Sequence, residues 1–61
     1  MEAKDIKVGI SVRVENQFAR PGSPRVEAAV VKVNPPLCWV RFMYLSKLRI
    51  SKHRIEDVEK I

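Results

Sequence analysis

Residues 37–44 read Leu-Cys-Trp-Val-Arg-Phe-Met-Tyr, and this stretch indicates the fold class more clearly than any other part of the chain. Valine and aromatic residues, which favour strands, fill half of it, and side chains along a strand point to alternate faces. One face then carries Cys38, Val40, Phe42 and Tyr44, and the other carries Trp39, Arg41 and Met43. We therefore predict a strand over Leu37–Tyr44 whose two faces differ in character.

The same two-residue period predicts two strands before this one. Ile10–Glu15 alternates apolar and polar residues, and Gly9 permits a tight entry to it. Val26–Val33 is apolar on both faces in its middle, so we expect this strand to be bent and buried on two sides. We place Ala28 and Val30 on one face of it, and Ala29, Val31 and Val33 on the other.

The segment Asn16–Arg25 between these two strands is predicted to be a loop. It holds Pro21 and Pro24, and proline cannot donate a hydrogen bond to a strand ladder. Phe18 is the one large apolar side chain of this loop. We expect it to fold back onto the core.

A fourth strand is predicted over Lys47–Ser51, with Leu48 and Ile50 pointing inward. We expect a 3-10 turn at Lys52–Arg54. A last short strand or turn then carries Ile55, Val58 and Ile61. The spacing of three between these last residues also fits one face of a C-terminal helix, which stays an alternative.

The length of 61 residues predicts a single domain over residues 1–61, with residues 1–5 as a flexible N-terminus. A chain this short buries about 60% of the surface that its unfolded form exposes, so its margin of stability is small. A deep active-site cleft is hard to build beside so small a core. For this reason we expect no enzymatic activity. Short strands with a long first loop and short later connections predict an all-β fold, a single small five-stranded antiparallel barrel.

The net charge of +5 is unevenly distributed along the chain. No acidic residue occurs from Ala28 to Ile55, and this segment carries Lys32, Arg41, Lys47, Arg49, Lys52 and Arg54. An asymmetry of this kind attracts polyanions, although an ordinary solvated surface has the same composition.

The residue types present leave little room for metal or nucleophilic chemistry. One cysteine and one histidine cannot supply the four ligands of a structural zinc site, so we predict no metal and no cofactor. We expect Cys38 to be a buried thiol, with a dimer through Cys38 as the alternative. His53 is the one candidate base, no acid motif accompanies it, and nearby cations should keep it neutral at pH 7.

No segment of the sequence is typical of a membrane or secreted protein. The longest stretch without a charge, Val33–Val40, includes two prolines and is too short to span a bilayer. The polar N-terminus lacks the features of a signal peptide. We therefore expect a cytoplasmic protein without a membrane partner.

Several segments together resemble the SH3-like barrels. Lys7–Val14 resembles their opening, in which a glycine shortly precedes Val-Arg-Val, and Ala28–Val33 resembles their second strand. Trp39–Phe42 resembles the third strand, and Ile50–Val58 is similar to the closing strand, the 3-10 turn and the final strand. The resemblance covers about residues 6–61. It implies a five-stranded SH3-like antiparallel barrel with a 3-10 turn before the last strand.

This superfold includes KOW and Tudor domains, the photosystem I subunit PsaE and the plasmid-borne type B dihydrofolate reductases, and a fold does not fix a function. The reductases carry the motif Val-Gln-Ile-Tyr, and the matching stretch here, Leu48–Ser51, lacks the Gln and the Tyr. That activity is therefore not carried over. A Tudor-type cage needs several aromatic residues around one site, and strand alternation puts Trp39 on the opposite face from Phe42 and Tyr44.

These observations predict a binding module for DNA or RNA that uses a basic and aromatic sheet face. Tryptophan beside arginine on a sheet stacks with bases and offers cations to phosphates, although Trp39 packed in the core is the alternative. The candidate binding residues are Arg13, Lys32, Trp39, Arg41, Lys47, Arg49, Lys52 and Arg54.

Protein–protein interaction is the second hypothesis. The chain would then be an interaction module or a homo-oligomeric adaptor, with Trp39, Met43 and Leu45 in the interface. The small, basic chain also suits a gene from a phage, a plasmid or another mobile element.

Overall fold

A computed structural model of the chain describes residues 2–61 and gives an all-β fold. The strands are β1 (Ser11–Val14), β2 (Val26–Asn34), β3 (Leu37–Tyr44), β4 (Lys47–Arg54) and β5 (Glu59–Lys60). They form one antiparallel sheet in the order β4-β3-β2-β1-β5. Short 3-10 turns lie at Ala3–Asp5 and Ile55–Asp57. The predicted bounds of the third strand are confirmed.

The core lies on one face of this sheet, as the two-residue period requires. Its most deeply buried side chains come from the three central strands and are Val12, Val14, Val30, Cys38 and Val40. Ile6, Ala28, Phe42, Ile55 and Val58 complete the cluster. The prediction that Cys38 is a buried thiol is confirmed, and burial raises its pKa.

The turn between β3 and β4 fixes the register of this hairpin. Leu45 and Ser46 form a two-residue connection with φ angles of 52° and 63°. Positive φ at both central positions is the pattern of a type I′ turn, whose twist matches that of the paired strands. Tyr44 therefore pairs with Lys47, and each later residue of β4 has its partner set by counting from that pair.

The predicted orientation of the fourth strand is wrong. Leu48 and Ile50 are each 57% exposed, whereas Ser51 and His53 are buried. Because Lys47 lies opposite Tyr44 on the core side, Leu48 pairs with Met43 on the outer side. A shift of one residue in register sends every side chain of a strand to the other face, and here the turn decides the register against the apolar pattern.

An irregularity in β2 changes the faces of its second half. Val30 pairs with Val40, but the next pair along the ladder is Lys32 with Trp39, so Val31 is an extra residue in a bulge. A bulge is a feature that bends strands, and on the other face of this strand Ala29 and Val31 are half-buried. The predicted face of Val33 is wrong, because the bulge returns it to the core side opposite Cys38.

The C-terminal segment also differs from its prediction. Lys52–Arg54 continues β4, and the 3-10 turn follows one step later at Ile55–Asp57. No α-helix occurs in residues 2–61, so the C-terminal helix is ruled out. Ile55 and Val58 are buried, whereas Ile61 is exposed.

The long loop between β1 and β2 folds back as expected of Phe18. The side-chain oxygen of buried Asn16 accepts a hydrogen bond from the backbone N–H of Phe18 at 3.0 Å and so shapes the chain locally. The Phe18 ring then contacts Phe42, with 6.0 Å between the ring centroids. Part of the ring stays exposed to solvent, so Phe18 covers the rim of the core.

Replacement of the two turn residues is predicted to increase the stability of the protein. Leu45 and Ser46 occupy the left-handed region, which asparagine and glycine adopt with far less strain. The double variant Leu45→Asn/Ser46→Gly should raise the free energy of unfolding by about 1 kcal/mol. Thermal unfolding followed by circular dichroism should show the melting temperature rising by about 4–8 °C.

The matched control is Leu45→Ala/Ser46→Ala, which removes the same exposed leucine but leaves residues with a Cβ in the left-handed region. It should not raise the melting temperature. Equal melting temperatures for the two double variants would contradict the assignment of strain to this turn.

Candidate functional site

Trp39 lies on the outer face of the sheet, the face away from the core, on β3, which is paired on both sides. Across the ladder it pairs with Lys32 of β2 on one side and with Lys52 of β4 on the other. Arg41 is two residues further along β3 and so shares this face. These four residues, Trp39, Lys32, Arg41 and Lys52, are called the Trp39 surface below.

The indole ring is partly buried and carries a cation on its face. The Nζ atom of Lys32 lies 4.7 Å from the centroid of the Trp39 ring. A cation held at this distance interacts with the negative face of the ring. The bulge at Val31 is the cause, because it moves the Lys32 side chain to the outer face.

The three cations of the Trp39 surface have no acidic side chain within ion-pair distance. Lys32, Arg41 and Lys52 are all exposed, and none of them belongs to an ion pair among residues 2–61. An aromatic ring within a cluster of uncompensated cations is a local positive surface, which the net charge alone does not show.

Two other predicted binding residues lie on the outer face but beside acids. Arg13 lies opposite Glu27 and Glu59 in the ladders, and its guanidinium is 3.6 Å from a Glu59 carboxylate oxygen. Arg54 is 3.6 Å from Glu56. Such exposed pairs contribute little stability, but they cancel the local charge. Neither arginine adds to the Trp39 surface.

The remaining two predicted residues, Lys47 and Arg49, lie on the opposite side of β4. They pair with Tyr44 and Phe42, which face the core side. The guanidinium carbon of Arg49 lies 5.1 Å from the centroid of the Phe18 ring, and its Nε is buried without a hydrogen-bond partner among the described residues. The structure therefore separates Lys47 and Arg49 from Trp39.

Next to the Trp39 surface is an apolar area that the sequence analysis did not identify as a whole. It is called the hairpin patch and consists of Met43, Leu45, Leu48 and Ile50, all of them exposed. Met43 pairs directly with Leu48, and Ile50 lies opposite Arg41. The sequence carries no clear signal for this placement, because Leu45–Ser46 lacks the Asn-Gly or Asp-Gly pair that is typical of a type I′ turn.

A buried polar pair lies on the core side of β4. Ser51 Oγ and His53 Nε2 share a hydrogen bond of 2.7 Å, and its donor depends on the histidine tautomer. His53 also lines a polar cavity of about 450 Å³ with Glu15, Gln17, Arg25, Lys52, Arg54 and Asp57. Ser51 does not line this cavity. Its hydroxyl is hydrogen-bonded to the buried imidazole on the core side.

The pKa of His53 is lowered, first of all by burial and further by Arg25, while Glu15 and Asp57 oppose the shift. The expectation of a neutral His53 at pH 7 therefore agrees in direction. Its main cause is burial and not the neighbouring cations, since the effect of Arg25 is smaller than that of burial, Glu15 or Asp57.

No group of three or more His, Cys, Asp or Glu side chains among residues 2–61 is placed to hold a metal ion. Within the same residues, no helix has the length and apolar character needed to cross a bilayer. Comparisons with protein-family models, with curated proteins and with solved structures find no match to this chain.

His53 predicts a pH dependence of stability. Its folded-state pKa lies below the ordinary value of 6.5, so the unfolded chain takes up a proton first as the pH falls. The free energy of unfolding should therefore decrease as the pH is lowered from about 7.5 to about 5, a range in which carboxylates stay largely ionised. Urea unfolding curves recorded at each pH measure this free energy of unfolding.

His53→Gln is the control, because glutamine keeps a polar group near Ser51 but does not titrate. This variant should be less stable than the parent at pH 7.5, with a nearly flat dependence over the same range. The same slope in both proteins would assign the pH dependence to other groups.

Proposed function

We propose that the protein is a small binding module, not an enzyme, whose Trp39 surface binds single-stranded DNA or RNA in the cytoplasm. The observation that carries this proposal is the position of Trp39 among three exposed cations that have no acidic partner. The two components, an aromatic ring and cations around it, match the two components of a nucleic acid.

The aromatic component would supply stacking. Trp39 lies on the outer face between two exposed lysines, and a base stacked on an aromatic side chain contributes about 1–3 kcal/mol. Bases in a duplex are already stacked on one another, whereas bases of a single strand are free to stack on a protein ring. This difference favours a single strand over a duplex as the ligand.

The cationic component would supply contacts to phosphates. Lys32 holds its ammonium 4.7 Å from the Trp39 ring, and its long side chain can move aside to meet a phosphate when a base takes the ring face. Lys52 lies on the other side of Trp39, so phosphates on both sides of a stacked base would find a cation. Binding of this kind weakens as salt rises.

The finer description of the fold is also part of this proposal. We infer that the sheet curls into the SH3-like barrel that the sequence resembles. Support comes from the strand order β4-β3-β2-β1-β5, from the bulge in β2 and from the 3-10 turn directly before β5.

Protein–protein interaction remains the second candidate, and the hairpin patch is the observation that favours it. Met43, Leu45 and Leu48 are more than half exposed, and contiguous apolar side chains on a small protein commonly mark an interaction site. This patch is next to the Trp39 surface but contains none of its cations.

Reversal of one charge tests the nucleic-acid proposal. Arg41→Glu should weaken binding of a fluorescent mixed-sequence single-stranded oligonucleotide by about tenfold or more, because it replaces an attraction to phosphate with a repulsion. Fluorescence anisotropy at low and at physiological salt measures the affinity. Lys32→Ala and Lys52→Ala should each reduce by about one the slope of the logarithm of the binding constant against the logarithm of the salt concentration.

The matched control is Lys60→Glu on β5, at the opposite edge of the sheet, which changes the net charge by the same amount. It should retain most of the affinity. If Arg41→Glu and Lys60→Glu weaken binding equally, the interaction depends on net charge and the Trp39 surface is not the site.

Fluorescence of the single tryptophan tests stacking separately from charge. Bound oligonucleotide should quench Trp39 emission. The Trp39→Leu variant should lose about 1–3 kcal/mol of binding free energy, which is the contribution of one stacked base. Circular dichroism would confirm that this variant folds. Tight, salt-sensitive binding without quenching would remove Trp39 from the interface.

A further inference from the structure

We infer that the free edge of β4 is a docking site for an extended segment of a partner protein, one in which carboxylate and apolar side chains alternate. The segment would add to the sheet as a sixth strand. This inference concerns the outer edge of β4 and does not depend on nucleic-acid binding by the Trp39 surface.

The edge is open because β4 pairs with β3 alone and is the outermost strand of the sheet. In an antiparallel ladder, hydrogen-bonded pairs alternate with pairs whose backbone groups point outward. Tyr44 and Lys47 close the turn as a hydrogen-bonded pair, so Arg49 and Ser51 are also bonded to β3. The backbone N–H and C=O groups of Leu48 and Ile50 therefore point to the free edge.

The open part of the edge is short and well defined. Further along the strand, the carbonyl oxygen of Lys52 accepts a hydrogen bond of 2.9 Å from Gln17 Nε2, so the long loop already occupies that point. No contact of this kind covers Leu48 or Ile50 among the described residues. A row of unpaired backbone groups is the template on which another strand forms.

The side chains of this part of the edge indicate which side chains a complementary partner would carry. Residues 47–50 read Lys-Leu-Arg-Ile, so cations and apolar side chains alternate. Leu48 and Ile50 are exposed on the outer face, and Lys47 and Arg49 lie on the other. Side chains of paired strands meet across the ladder, so the complementary segment places apolar groups against the first pair and carboxylates against the second.

Arg49 supplies the cation between the two exposed apolar residues of this edge. It is half-buried and forms no ion pair among the described residues, so no acid of this chain neutralises it. A carboxylate from an added strand opposite Arg49 would be in position to accept from the guanidinium. Arginine and carboxylate form the strong, charge-assisted type of hydrogen bond.

The exposed turn continues the apolar part of this edge. Leu45 is 74% exposed in a backbone conformation that leucine disfavours, and Met43 lies beside Leu48. Neither side chain contributes to the core. An added strand that extends past the turn would cover Leu45, whereas Met43, on β3, lies one strand further in and extends the apolar surface beside Leu48.

A second copy of this chain fits the same edge poorly. An antiparallel pairing that brings Leu48 opposite the Ile50 of another copy also brings Arg49 opposite Arg49, and like charges directly opposite are destabilising. Each copy also carries a net charge of +5. Cations on an edge strand discourage pairing of identical edges, and they favour an acidic partner for the same reason.

The test uses the full chain labelled with ¹⁵N and a blocked octapeptide of alternating valine and glutamate. The control peptide has lysine in place of glutamate. The valine–glutamate peptide should shift the amide signals of Leu48 and Ile50 and slow their hydrogen exchange by about tenfold or more. The amides of Arg49 and Ser51 should change little, because they are already bonded to β3. The lysine peptide should have no effect.

Ile50→Pro removes the edge-facing N–H of residue 50 and leaves the bonds to β3 in place, since that N–H is outside the ladder. It should abolish peptide binding, whereas Ile50→Ala, the matched control that keeps the N–H, should weaken it only a few-fold. Oligonucleotide binding by the Trp39 surface should survive in both variants. If Ile50→Pro fails to fold, the alternating protection in the parent protein decides the question.

Three results would overturn the inference. One is the absence of alternating protection with the valine–glutamate peptide. Another is equal binding of the two peptides. The third is protection of the Leu48 and Ile50 amides without peptide, either in a dimer seen by sedimentation or on addition of oligonucleotide, which would assign the edge to a second copy or to nucleic acid.

Discussion

The two registers of β3 are the constraint on which the rest of the structure depends. β3 is paired on both sides, and the turn at Leu45–Ser46 sets one register while the bulge at Val31 sets the other. Together they place Lys32 and Lys52 on either side of Trp39. A slip of one residue on either side would turn a whole strand over and would replace one of these cations by a residue of the core face.

Local compensation of charge, more than net charge, distinguishes the surfaces of this small protein. The segment from Ala28 to Ile55, which has no acidic residue, supplies half of the lysines and arginines, but Arg54 lies beside Glu56 and Arg49 lies over Phe18. Arg13, from outside that segment, is held by Glu59. Three cations without an ion pair, Lys32, Arg41 and Lys52, lie together around one tryptophan. In a chain of 61 residues, such a concentration of charge is a larger part of the surface than it would be in a larger domain.

The two sides of β4 show how an edge strand serves two purposes. Its core side buries Ser51 and His53, whose mutual hydrogen bond makes the burial of polar groups tolerable. Its outer side then carries the apolar residues that a simple alternating pattern would assign to the core. This inversion leaves Leu48 and Ile50 exposed, and Lys47 and Arg49 alternate with them along an edge strand, where cations discourage pairing of identical edges.

The sequence by itself determined the all-β class, the bounds of β3, the burial of Cys38 and the two faces of the Trp39 strand, because these follow from residue type and the two-residue period. It could not determine which cations join Trp39. Lys32 reaches that face through a bulge, and Leu48 and Ile50 leave the core through the register of a turn. Bulge and register are properties of strand pairing, which a local pattern does not contain. Tertiary structure decided them, since hydrogen bonding between strands and burial of the whole core act on all the pairs at once.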